Sequence, residues 1–161
     1  RDENAVNRDK GLKKAAQEMG ATIVQDVPSE WNPDKALSGL SAALQAHPDA
    51  TGIFVASDFL MPAIQSALER AKKWAPYGEK GHIYLGSQDV FPSGAKLLKE
   101  KIIDVNTAFD IWPMSTSAID TIIKLVEKKP IENKDILIKG RLFDQNNINT
   151  ETNVWANDYK E

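Results

Sequence analysis

Cysteine is absent from this chain, which excludes disulfides, thiolate metal sites and cysteine nucleophiles. A protein outside the cytoplasm that avoids stray thiols has this composition, and so do many cytosolic proteins. Histidine is scarce, with only His47 and His82. They lie far apart in sequence and lack metal-ligand spacing. His47 precedes Pro48 at a helix end, where a cation suits the helix dipole, and His82 opens a strand, so structural roles are expected for both. No apolar run approaches the length of a membrane span. No long basic run exists, and the net charge of −3 arises from mixed signs, so nothing favours nucleic acid or an anionic membrane as partner. A Gly-x-Ser-x-Gly elbow and a phosphate-binding glycine loop are both missing. There is no internal repeat and no low-complexity segment. The sequence begins at Arg1 without an initiator methionine or signal peptide, the pattern of a mature secreted protein or of a fragment.

What is present is an ordinary globular composition. The 161 residues are 42% apolar and 27% charged, enough for one α/β domain with a sizeable core. Helix and strand patterns alternate. Residues 3–19 carry Leu12, Ala15, Ala16 and Met19 at helical spacing, and Gly20 stops them. Residues 21–27 are rich in β-branched side chains and predict a strand ended by Pro28. Asn32 and Pro33 announce a helix with Leu37, Leu40 and Leu44 on one face, closed by Pro48. Residues 51–56 form a short apolar strand. Ser57 and Asp58 then open a helix to about Trp74, with Leu60, Ile64, Leu68 and Ala71 inward. A glycine- and proline-bearing loop, 75–81, precedes a strand over 82–86. A short helix runs from Pro92 to about Lys101, and a strand from Val105 to Phe109. A strong helix spans 113–129, with Ile119, Ile122, Ile123 and Val126 inward, and Pro130 stops it. A last strand is expected over 135–143. A polar tail follows, anchored by Val154, Trp155 and Tyr159. The alternation predicts an α/β fold with a doubly wound, mainly parallel sheet covered by helices on both faces. Ile23, Phe54, Val55, Tyr84 and Leu85 should then be buried.

Ligands of such sheets bind beyond the carboxyl ends of the strands. Those ends carry Ser29, Glu30, Trp31 and Asn32, then Ser57 and Asp58, then Ser87, Gln88, Asp89 and Phe91, then Asp110 and Trp112. Short polar groups with interspersed aromatics suit a sugar. Carboxylates and amides pair with neighbouring hydroxyls, and a ring covers the C–H face. A plainer reading stands beside this one. Helix capping alone explains Asn32, Ser57 and Asp58. Asp89 and Asp110 fit turns, Trp31 fits a core or staple aromatic, and Arg8 fits a solvated helix face.

Four segments, in order, carry a resemblance. They are Asn7-Arg8-Asp9-Lys10-Gly11-Leu12, the stretch from Ala42 to Asp58, Leu85 to Asp89, and Asn106 to Asp110 before a long helix. Together they resemble the second half of periplasmic sugar-binding proteins of the ribose-binding type, over about residues 1–143. The resemblance implies a role for each candidate. Arg8 matches an arginine, three residues before a glycine, that reaches a sugar oxygen. Trp31 falls where an aromatic sandwiches the sugar. Ser57 stands where the family usually has asparagine, which points to a different sugar, and Asp58 matches the aspartate that follows. Asp89 matches the aspartate after a Gly-x-x turn, and one extra residue makes Gln88 a substitute for it. Asp110 falls where the hinge often carries glutamine or aspartate.

The resemblance also implies the wider organisation. Residues 1–109 would be the carboxyl-terminal ligand-binding lobe without its first strand. Residues 110–142 would be a hinge crossing, helix and strand that pack on an absent amino-terminal lobe. Residues 143–161 would be a tail returning to the lobe. The implied protein is a type I periplasmic binding protein, a periplasmic receptor with no cofactor and no catalysis. Its partners would be a small sugar, the membrane permease of an ABC importer and its own amino-terminal lobe. Three other readings share the fold class. They are the effector domain of a lac-repressor-type regulator, an extracytoplasmic sugar sensor, and a small α/β enzyme using Asp89 or Asp110 as acid or base.

Overall fold

Local signals in the sequence account for most element boundaries of the computed structural model, which describes residues 2–108, 110–133 and 135–158. Helix α1 spans Glu3–Met19. Its Asp2 cap accepts from the Ala5 N–H at 3.0 Å, and Gly20 ends it in the left-handed region at φ 70°. Helix α2 spans Pro33–Ala46, with Asn32 accepting from the N–H groups of Asp34 and Lys35. Strand β1 (Gly52–Val55) leads through a short 3-10 turn into α3 (Met61–Arg70). Strand β2 (Tyr84–Asp89), helix α4 (Pro92–Lys99), strand β3 (Val105–Ala108), helix α5 (Ile111–Val126), strand β4 (Arg141–Asp144) and the short helix α6 (Trp155–Asp158) follow.

The four strands form one sheet in the order β1-β2-β3-β4. The first three are parallel, with Val55 opposite Ser87 and Asp89 opposite Ala108. β4 closes the far edge antiparallel to β3, Phe143 lying opposite Asn106. The core lies against one face of this sheet. There Val55, Leu85, Ala108 and Phe143 meet Leu40 and Leu44 of α2, Ile64 and Leu68 of α3 and Leu98 of α4, all buried. The tail contributes Ile148 and Val154, which are 0% and 2% exposed. These two seal the core from the carboxyl-terminal end, where the sequence had marked Val154 but not Ile148.

Several expectations are corrected. Residues 21–27 form no strand: none of residues 22–28 takes part in the described backbone hydrogen bonds. A strand exists only through its ladder partners, so β-branched composition alone does not make one. Val27 instead rests against Gly39 of α2. Helices cover the core face only. On the opposite face Phe54, Tyr84, Val105 and Leu142 remain 37–59% exposed, and Ile23 is 40% exposed, so of the predicted buried strand positions only Val55 and Leu85 hold. No side chain of α1 is fully buried; Leu12 and Ala16 are half-buried, and Ala15 and Met19 are exposed. The helix expected to reach Trp74 ends at Arg70, leaving Ala71 exposed. Strand β2 starts two residues later than predicted and extends to Asp89, so Ser87, Gln88 and Asp89 lie within it. Helix α5 begins at Ile111, with Pro113 in its first turn, where a missing N–H costs nothing. The last strand is confined to Arg141–Asp144, because only those residues pair with β3. Phe109 and Tyr159 lie outside the described residues.

His82 has the structural role expected of it. Its ring bridges the Ala75 carbonyl oxygen (Nδ1, 2.8 Å) and Asp104 (Nε2, 3.1 Å), and it meets Tyr77 and Tyr84 edge-on.

Candidate functional site

The carboxyl ends of β1 and β2 bring polar side chains together with strained backbone. Asp89, the last residue of β2, has φ 94°, and the β-branched Val90 follows at φ 54°. Such conformations cost about 1–3 kcal/mol each and persist where the surroundings over-determine them. Arg8, on the second turn of α1, supplies part of that restraint. Its guanidinium donates to both carboxylate oxygens of Asp89, at 2.7 and 3.1 Å, and to the Ala56 carbonyl at 2.6 Å. The two side chains remain 14% and 16% exposed. The bidentate pair is therefore sheltered yet open on one side, the condition in which charge-assisted bonds to a ligand are strong.

Trp31 stands next to this pair. It too lies at positive φ, 58°, after Glu30 at 52°. The turn places the Arg8 guanidinium 6.0 Å from its ring centroid, at the outer range of a cation–π contact. Asp89 also lines a concavity of about 300 Å³, together with Phe91, Ile111 and Trp155. Phe91 and Trp155 meet edge-on at 5.3 Å, and the Trp155 indole N–H donates to the Asp89 carbonyl at 3.3 Å. Asp110 precedes Ile111 and forms an ion pair with Arg141 of β4 at 2.8 Å. Arg141 in turn donates to the carbonyls of Thr152 and Asn153.

The sequence candidates thus separate into groups. Arg8, Trp31 and Asp89 come together, and Asp110 borders the same concavity through its neighbour Ile111. Gln88, next to last in β2, lies opposite Thr107 and is half-buried. Ser57 is 4% exposed and caps the 3-10 turn by accepting from the Phe59 N–H at 3.3 Å. Asp58 has no exposed surface. Its carboxylate turns inward, where one oxygen accepts from the Phe91 N–H and from Asn106 Nδ2, each at 2.9 Å. Asp58 is therefore a buried tie between β1, α4 and β3. Sequence reasoning missed Arg141 and Asn106 as partners of these carboxylates. It had Trp155 only as a tail anchor. No local pattern announces partners this distant along the chain.

Burial pushes the Asp58 carboxyl up to about 6 from 3.8, aided by the nearby Asp89 charge and opposed by the Asn106 and Phe91 hydrogen bonds. Because the folded value lies above the unfolded one, the neutral form is favoured by folding. The stability it confers is full below about pH 4 and is lost as pH rises through about 6. Asp58→Asn should remove this dependence. The gap in unfolding free energy between the unaltered protein and this variant is expected to change by on the order of 2–3 kcal/mol between pH 4 and 7. Urea unfolding across that range measures it, and parallel pH profiles for the two proteins would disprove the assignment.

A sheltered charged pair, flanking aromatic rings and an open concavity thus lie near the strand ends of an α/β sheet, where such folds place their ligands. The chain belongs to the periplasmic binding protein domain family, whose sequence model matches residues 1–130. Among solved structures it is similar to an ABC transporter solute-binding protein from Agrobacterium vitis with bound α-D-tagatopyranose (TM-score 0.75, 22% identity), covering 94% of this chain and 49% of that one. It is similar also to the arabinose ABC transporter periplasmic binding protein from Shewanella sp. ANA-3, bound to α- and β-L-arabinofuranose (TM-score 0.74, 19% identity, 90% and 47% covered). A third is a periplasmic solute-binding protein from Actinobacillus succinogenes 130z with bound D-allose (TM-score 0.66, 20% identity, 76% and 41% covered). The chain spans less than half the length of each of these three structures. No curated protein matches it.

Proposed function

We propose that this chain is the carboxyl-terminal ligand-binding part of a periplasmic sugar receptor serving an ABC importer. It binds a monosaccharide or polyol and carries out no chemistry on it. The observation that carries this reading is the bidentate Arg8–Asp89 pair beside the Trp31 ring. The pair offers donors and acceptors to adjacent hydroxyls, and the indole offers a face to C–H groups. Asp110 adds a further acceptor. The sugars bound by the three similar structures support the ligand class, and the family's description supports a location outside the cytoplasm. In this reading residues 1–109 form the lobe, residues 110–142 reach toward a second lobe, and residues 143–161 return. The two lobes close over the sugar and present themselves to a membrane permease.

Calorimetric titration of the full-length protein with D-allose, L-arabinose, D-tagatose and D-fucose tests the proposal. At least one is expected to bind with heat that saturates. Trp31→Ala should then weaken binding by about 1–3 kcal/mol, through lost stacking and lost buried area. Unchanged affinity would remove Trp31 from the site, and silence across such monosaccharides would remove the sugar.

A further inference from the structure

We infer that Trp155, on the carboxyl-terminal tail, is a direct ligand-binding residue that forms one wall of the sugar site. This rests on the sugar-receptor reading above and deepens it. The tail is far from the other site residues in sequence, but three independent ties bring it to the site. Trp155 lines the concavity with Asp89, Phe91 and Ile111. Its indole N–H is spent on the Asp89 carbonyl, at the residue whose backbone is strained. Its ring stands edge-on to Phe91, the residue whose N–H is held by buried Asp58.

The tail itself is fixed on both sides of the indole. Val154 and Ala156 are buried, and Lys99 of α4 donates to Asn157 at 2.8 Å. Upstream, Arg141 holds the carbonyls of Thr152 and Asn153 at 2.9 and 2.7 Å while pairing with Asp110. The tail therefore joins the two carboxylates proposed for the site. Asp110 reaches it through Arg141, and Asp89 through the indole. An aromatic ring held so firmly at the edge of an open concavity has lost its conformational entropy before any ligand arrives, which favours its use as a stacking surface. Its N–H is already satisfied, so the indole offers the ligand an apolar surface. A pyranose or furanose seated in that concavity would set its C–H face against the Trp155 ring.

The test uses the full-length protein and the monosaccharide with the largest heat in the titration above. Trp155→Phe deletes one tryptophan indole signal in an ¹H–¹⁵N spectrum and so identifies it. In unaltered protein that signal should shift on adding the sugar. Trp155→Ala should weaken affinity by roughly tenfold to fiftyfold, and Trp155→Phe by less, because a ring remains. A Trp155 signal that does not move on saturation overturns the inference while leaving the receptor reading intact. So does a Trp155→Ala protein that melts normally and binds with unaltered affinity. If the unaltered protein binds none of the sugars, the receptor reading falls and this inference falls with it.

Discussion

Gly94→Ala should lower the unfolding free energy by about 3–5 kcal/mol, the combined cost of overpacking and of broken buried hydrogen bonds. Gly94 lies in α4, in a buried position. In a helix interior alanine is normally the better residue by about 1 kcal/mol. Here a Cβ would fall inside the Asp58 carboxylate, with Asn106 Nδ2 only 3.1 Å away. Neither neighbour is the free end of a flexible chain. Asp58 is held by the Phe91 N–H and by Asn106, on elements that meet in the core. Relief therefore requires α4 to move off the sheet or Asp58 to leave its two donors. Either movement displaces Phe91, so ligand affinity should fall along with stability. Denaturant unfolding gives the stability change directly. A midpoint equal to or above that of the unaltered protein would mean that helix propensity outweighs the collision and that the Asp58 tie is dispensable.

The 161-residue chain by itself is expected to self-associate. No side chain of α5 is buried, and Ile119, Ile122, Ile123, Leu125 and Val126 are 48–77% exposed. Apolar side chains of this size gain about 1.5–3 kcal/mol each on full burial, and five on one helix make a patch beyond what soluble monomers usually show. The uncovered sheet face, with Phe54, Tyr84, Val105 and Leu142, adds to it. Sedimentation should show weight-average mass rising with concentration. Replacing Ile122 and Val126 with lysine should shift the chain toward monomer without lowering its melting temperature, because neither side chain supports the core. A monodisperse monomer for the unaltered chain at roughly the 0.1 mM scale, where even weak apolar association shows, would contradict this.

Much of the fold was legible in the residues because the relevant forces are local. Asn32 and Gly20 bound helices through bonds and backbone preferences confined to a few residues. The leucines of α2 mark a face through helical periodicity alone. Segment 21–27 shows where that legibility stops. Its β-branched composition is a strand signal, but strand formation needs a neighbour, and none of the described residues supplies one. Phe54 and Tyr84 fail for a related reason. Alternation tells which residues share a sheet face, but whether a face is covered depends on where distant elements pack.

The site divides along the same line. Trp31 and Asp89 are candidates from residue type, strand-end position and family resemblance, and Arg8 from the resemblance, all readable along the chain. Asp58 shared those signals with Ser57, yet only the tertiary structure turned it inward, because the Phe91 N–H and Asn106 lie there to receive a buried carboxylate. Trp155 carried no signal beyond its hydrophobicity. It comes to Asp89 only after Ile148, Val154 and Ala156 bury themselves and carry the tail across the lobe. What this sequence determined alone was helix limits, strand candidates and the chemistry available at strand ends. What only the tertiary structure decided was which of those groups meet, because contacts between residues far apart in the chain depend on the packing of every element between them.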